Sequence, residues 1–134
     1  RLCELLTGKT VLMCEDHPLN AQIATKLLTN MGMTVIWAEN GRVGADIFAG
    51  SKPGEIDAIL MDIRMPVLDG IEAAKAIRAG SGSKAKTIPI IAMTANAFAE
   101  DVKMSRDAGM NAHLAKPINP QELYRVLAEQ IGRA

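Results

Sequence analysis

The stretch IDAILMDIRMPVLDGIEAAKAI, residues 56–77, decides the fold. Its first part, Ile56 to Met61, is apolar apart from Asp57, rich in long or β-branched side chains and too short for a helix. That is how a strand buried on both faces reads. The strand ends at Asp62, a turn-forming segment through Pro66 and Gly70 follows, and Ile71, Ala74 and Ile77 then recur at helical spacing. A buried strand leading through a short loop into an amphipathic helix is one half of a βαβ unit, and βαβ units build parallel sheets.

Working outward, the same alternation runs through the chain. Thr10 to Cys14 (TVLMC) and Ile88 to Met93 (IPIIAM) are two further buried-strand candidates. Thr34 to Ala38 (TVIWA) and Ala112 to Ala115 (AHLA) are weaker and are assigned to the sheet edges. Between the strands, helical spacing is marked by Ile23, Leu27 and Leu28; by Val43 and Ile47; by Phe98 and Val102; and by Leu123, Val126, Leu127 and Ile131. Short connections between alternating elements require right-handed crossovers, so the predicted class is α/β. The architecture is a doubly wound (βα)₅ sandwich, five parallel strands with helices on both faces. Gly32, Gly80 and Gly109 follow helical stretches, where left-handed caps are expected. Pro18 suits a first helical turn. Ser81 to Lys86 (SGSKAK) is loop-like but too short to mark a domain boundary.

Composition narrows the function. The 134 residues, 49% of them hydrophobic, suffice for one domain with one substantial core. Fifteen basic against 15 acidic residues leave the chain formally neutral, which excludes a global attraction to nucleic acid or an anionic membrane. No apolar run approaches the roughly 18–20 residues of a membrane helix, and no charged segment precedes an apolar signal core. The expected location is cytoplasmic. Cys3 and Cys14 are too few for a disulfide scaffold and too far from other ligands in the sequence for a zinc site, so both read as free thiols. A start at Arg1 and not at Met reads as a domain excised from a longer parent. Thr7 to Thr10 (TGKT) resembles the end of a phosphate-binding loop, but position 3 is Cys where that loop needs Gly, and the stretch precedes a strand instead of following one.

In open α/β sheets, ligands bind beyond the carboxyl ends of the strands, so the residues found there are the candidates. Glu15 and Asp16 follow the first strand, Asp62 ends the third, Thr94 the fourth, and Lys116 follows the fifth, before Pro117. Three carboxylates brought together repel one another and call for a cation or for raised pKa values. Hard oxygen ligands with an incomplete protein shell suit Mg²⁺, which keeps several waters and takes phosphate oxygens. With its charge neutralised, a carboxylate can act as a nucleophile on phosphorus, and the central Asp62 is the candidate. Lys116 and Thr94 would stabilise the oxygens of the transferring group, supplemented by the backbone N–H of Ala95 and of residues after Asp62.

These motifs resemble the response-regulator receiver family, the CheY-like superfamily: Glu15-Asp16 after the first strand, MDIRMPVLDG around Asp62, Met93-Thr94-Ala95, and Lys116-Pro117. The resemblance covers about residues 10 to 131, so residues 9–133 are expected to form the receiver domain and residues 1–8 a linker or remnant of the parent chain. It implies a flavodoxin-like sheet of order 2-1-3-4-5. It also implies transfer of a phosphoryl group from a phosphohistidine to Asp62, with Mg²⁺ held by Asp16, Asp62 and the backbone carbonyl of Arg64 directly and by Glu15 through water. Stretches such as EDHPLN, AENGRVGADIF and DAGMNAHLAKPI are similar to receivers of hybrid sensor histidine kinases. On that likeness the chain is expected to be a C-terminal hybrid receiver, no enzyme beyond its own phosphorylation and dephosphorylation, cut from a histidine kinase whose parent chain can be membrane-anchored. Its implied partner is a histidine kinase dimerisation/phosphotransfer domain or an HPt domain, docking on the helix around Asn20 to Leu28, with Ala21 and Ala24 on the docking face. No nucleic-acid or membrane contact by the domain itself is expected. Two positions depart from the family pattern: Glu15 stands where Asp is common, and His113 where many receivers carry a Tyr or Phe switch beside Thr94.

Other readings have less support. An aspartyl phosphohydrolase typically needs a DxD arrangement, which Asp62-Ile63-Arg64 lacks. An FMN-binding protein of the same fold would carry a Ser/Thr-rich loop after the first strand. A pseudo-receiver acting only as an interaction module would lack acceptor groups that are all present here. His17 reads as a loop residue and Trp37 as structural. Met31, Met33, Met61, Met65, Met93, Met104 and Met110 read as core or groove filler. Arg64 and Asn96 flank the site and are expected to set the lifetime of the phosphate.

Overall fold

The computed structural model describes residues 2–95 and 99–133, the side chain of Ala99 excepted, so Phe98 and Asn96 lie outside the described residues. The elements are α1 (Leu2–Leu6), β1 (Thr10–Cys14), α2 (Pro18–Thr29), β2 (Thr34–Ala38), α3 (Gly41–Gly50), β3 (Ala58–Asp62), α4 (Gly70–Ala79), β4 (Ile90–Thr94), α5 (Ala99–Asp107), β5 (Ala112–Ala115) and α6 (Pro120–Arg133). The five strands pair in parallel in the order β2-β1-β3-β4-β5, with the two weakly apolar strands at the edges as expected. β3 and β4 begin two residues later than their apolar runs, so that Asp62 and Thr94 are the last residues of their strands.

The central strands are apolar throughout because both faces are covered. Leu12, Cys14, Ile59, Met61, Ile90 and Ala92 face a layer made by α3 and α4, while Val11, Met13, Ala58, Leu60, Ile91 and Met93 face α1, α2 and α6. This alternation puts successive side chains on opposite faces of the pleat. Residues 2–6, which carry no element in the sequence reading, form a short helix that seats Leu6, fully buried, in the second layer.

Three expectations are corrected. Gly32 and Gly109 take the positive φ of left-handed caps, 79° and 98°, but Gly80 has φ −66° and ψ 162°, and α4 ends there in extended backbone. In α2 the sheet-facing stripe is Ala21, Ala24 and Leu28, and Ile23 is 54% exposed. In α3 it is Gly41, Gly44 and Ala45, with Val43 exposed. The cause is close approach: a Cβ on Gly44 would lie 2.4 Å from Cys14 Sγ, so α3 lies too near β1 for a large side chain at that point. Reading phase from the largest aliphatic residues fails where the smallest ones make the contact. Of the methionines read as core or groove filler, Met104 is exposed and lines a cleft, whereas Met33, Met61, Met65, Met93 and Met110 are buried.

Candidate functional site

The carboxyl ends of β1, β3, β4 and β5 converge as the topology requires. Glu15, Asp16 and Asp62 each place one carboxylate oxygen within 4.8 Å of the others. Lys116 Nζ donates to Asp62 Oδ2 at 2.9 Å and to Glu15 Oε1 at 3.0 Å. The second oxygen of Glu15 accepts from the His17 N–H at 3.1 Å, and Asp62 Oδ1 accepts from the Arg64 N–H at 3.3 Å. Glu15 and Asp62 are buried, Asp16 is half-buried, and Thr94 is buried at the end of β4 with its carbonyl accepting from the Lys116 N–H at 2.8 Å. The Lys116–Pro117 peptide bond is cis.

Electrostatics follow from this packing. Burial by itself would lower the Lys116 pKa, but the hydrogen bonds and Coulombic attraction of Asp62 and Glu15 outweigh it and hold the ammonium above its ordinary value. Three carboxylates against one ammonium leave a formal surplus of two negative charges in a cluster of hard oxygen donors. That is the charge and donor type a divalent cation such as Mg²⁺ matches. The residues present therefore fit a metal, and the electrostatic cost of assembling them is met only in part by Lys116.

The loop from Ile63 to Asp69 is shaped by glycine at both neighbours. A Cβ on Gly70 would lie 2.2 Å from the Asp62 carbonyl oxygen, and one on Gly41 would lie 2.1 Å from that of Leu68. The backbone N–H groups of those glycines donate to Ile63 O at 2.8 Å and to Leu68 O at 3.0 Å, so the loop is clamped between α4 and α3. Within it Val67 has φ 70°, unfavourable for a β-branched residue, as the Leu68 N–H reaches back to Pro66 O at 2.7 Å. Asp69 caps α4 by accepting from the Glu72 N–H at 2.9 Å.

The structure thus brings together Glu15, Asp16, Asp62, Thr94 and Lys116, with Arg64 exposed at the rim. It does not bring His113 to them: the imidazole is exposed on edge strand β5, opposite Ala92 in the sheet register, while its neighbour Leu114 turns into the core. Ala21 and Ala24, expected on a docking face, are instead packed under α2, and the exposed apolar residues of that helix are Leu19 and Ile23. Beside Lys116, a groove is lined by Ile23, Leu27, Pro117 and Ile118. Asp69 and Asp101, which sequence reasoning does not single out, line the cleft together with Asp16, Arg64 and Met104. Asp69 is legible as the Asp of an Asp-Gly helix start; Asp101 carries no local signal.

Comparison with known proteins agrees with this geometry. The family model described as response regulator receiver domain matches residues 11–128. Hybrid signal transduction histidine kinase I of Dictyostelium discoideum is 41% identical over 90% of this chain, which spans 7% of that protein. Sensor protein GacS of Pseudomonas syringae pv. syringae is 34% identical over 92% of the chain, which spans 14% of that protein. The chain therefore corresponds to a small part of these curated relatives. Among solved structures, the receiver domain of sensor histidine kinase PA1611 from Pseudomonas aeruginosa PAO1 has a TM-score of 0.85 and 39% identity, covering 94% of this chain and 99% of that one. That structure carries a magnesium ion coordinated in the active-site cleft. Among the described residues, no helix is long and apolar enough to cross a membrane.

Proposed function

The chain belongs to the response regulator receiver family, and on that premise we propose that it accepts a phosphoryl group from a phosphohistidine onto Asp62 in a two-component phosphorelay. The observation that carries this reading is the bridge from Lys116 to both Asp62 and Glu15, with Asp16 in the same cluster. One Asp62 oxygen attacks phosphorus, the phosphorus–nitrogen bond of the donor breaks, and the histidine leaves with the electron pair, so that an acyl phosphate forms with no other reactant. Lys116, freed from the carboxylate oxygen that it now holds, turns to an oxygen of the transferred group. Thr94, at the end of the neighbouring strand, contacts another. Glu15, Asp16, Asp62 and the Arg64 carbonyl are the residues that would hold Mg²⁺, which supplies charge neutralisation and coordination of phosphate oxygens when bound. Water later attacks the acyl phosphate, and exposed Arg64 at the rim bears on how long that takes.

The output is a change of surface carried by Thr94. His113 is exposed on the edge strand and contributes to that surface. Residues 9–133 make up the receiver unit, the segment before them packs onto it through buried Leu6, and the parent is a hybrid sensor histidine kinase with this receiver on its cytoplasmic side. The donor, a kinase dimerisation/phosphotransfer domain or an HPt domain, docks its helices against α2, where Leu19 and Ile23 are exposed beside the groove that ends at Lys116.

Intact mass after incubation with phosphoramidate and Mg²⁺ tests the reading. Wild type should gain one PO₃ group, EDTA should abolish the gain, and Asp62→Asn should show none. A folded wild type that gains nothing would refute the assignment.

A further inference from the structure

The single tryptophan of the chain sits on an edge strand, 45% exposed, and belongs to neither core cluster. Its ring lines a shallow groove with Pro18, Gln22 and Thr25 of α2, a placement that burial alone does not explain. Its one polar atom is committed: Trp37 Nε1–H donates to the backbone carbonyl of Glu15 at 2.7 Å, a short and well-formed hydrogen bond. The N–H of Glu15 in turn donates to Ala38 O at 3.0 Å. β2 therefore grips the backbone of residue 15 from both sides, once through its own main chain and once through the indole.

The gripped carbonyl belongs to the peptide plane that joins Glu15 to Asp16. Rotation of that plane would swing Asp16, whereas the Glu15 carboxylate has separate anchors in Lys116 and the His17 N–H. Among the described residues, no hydrogen bond or ion pair holds the Asp16 carboxylate, so its place in the acidic cluster depends on its backbone. We infer that Trp37 is a positioning residue for the metal site, fixing the Glu15–Asp16 peptide plane so that the Asp16 carboxylate stands ready for a divalent cation. The inference rests on the receiver reading above and goes beyond it in assigning an edge-strand side chain to the readiness of the cluster. It also makes the indole a built-in reporter, because any movement of that peptide plane on metal binding alters the hydrogen bond of the only tryptophan.

The test compares wild type with Trp37→Phe and with a chain carrying benzothienylalanine at position 37, which keeps the indole shape and replaces N–H by sulfur. Mg²⁺ binding is measured by titration calorimetry, and urea unfolding checks that each chain is folded. One net hydrogen bond corresponds to an expected weakening of Mg²⁺ binding of about 2- to 10-fold in both variants. Gln22→Ala, which removes a wall of the same groove without touching Glu15, should leave the affinity unchanged. Wild-type tryptophan emission should change saturably with Mg²⁺, and that of Asp16→Asn should not. Unchanged Mg²⁺ affinity in the benzothienylalanine chain would overturn the inference while leaving the receiver reading intact. A wild type that binds no Mg²⁺ at all would overturn the receiver reading, and the positioning role with it.

Discussion

Replacing Lys116 by Met removes the one cation that, among the described residues, pairs with the acidic cluster. The ammonium lies 2.9 Å from Asp62 and 3.0 Å from Glu15, and its side chain is only 21% exposed, so solvent screens these contacts weakly. Without it, Glu15 and Asp62 remain buried with carboxylate oxygens within 4.8 Å of each other and of Asp16. At an effective dielectric of about 20, two such charges repel by roughly 3.5 kcal/mol. Stripping the partner from a buried ion pair usually costs about 3–5 kcal/mol, and partial access to water reduces this. The expected loss of stability in EDTA at neutral pH is therefore about 2–4 kcal/mol. A divalent cation restores the missing positive charge, so most of the loss should return in excess Mg²⁺, and Mg²⁺ should bind the variant at least about tenfold more tightly than wild type. Phosphorylation by phosphoramidate should nevertheless be strongly reduced, because the ammonium that meets the transferred group is gone. Urea unfolding of wild type and Lys116→Met, each with EDTA and with Mg²⁺, measures all the stability terms. An equal loss in EDTA and in Mg²⁺ would refute the electrostatic reasoning and assign Lys116 a packing role.

Gly44→Ala should cost about 1–2 kcal/mol, the strain of a Cβ 2.4 Å from Cys14 Sγ less the better helix propensity of Ala, and in a Cys14→Ala background the cost should disappear or change sign. Burial pushes the Cys14 thiol from 9.0 up to about 12, so the unfolded chain ionises first as pH rises. That stability contribution is intact below pH 9 and should be lost at about 1.4 kcal/mol per pH unit from there to about pH 12, a part of the pH dependence that Cys14→Ala should remove. At neutral pH, iodoacetamide should label exposed Cys3 quickly and Cys14 only after unfolding, which peptide mapping distinguishes. Ile23→Glu should slow phosphotransfer from a protein donor at least about tenfold while leaving phosphoramidate labelling and thermal stability near wild type, because Ile23 is exposed on α2. Ala24→Glu, by contrast, should unfold the domain, since Ala24 is 7% exposed under the same helix.

Elements that carry their own local signal are legible in the amino-acid order alone. Apolar runs such as Ile56 to Met61 and Ile88 to Met93 are bounded by turn residues and stay apolar because both sheet faces are covered, so strand number, alternation and α/β class are all legible. Polar residues at strand ends stood out against those runs for the same reason, which exposed Glu15, Asp16, Asp62, Thr94 and Lys116 as a set. How the helices seat on the sheet and which groups touch depend on long-range packing. Helix phase at α2 and α3 is set by Ala and Gly at points of close approach, where a small residue is silent in a hydrophobicity pattern. The Lys116 bridge and the Trp37 hydrogen bond join residues 54, 101 and 22 positions apart. Such contacts exist only when the β2-β1-β3-β4-β5 order brings distant strand ends together, and pairing energy between far-apart residues leaves no trace in local periodicity.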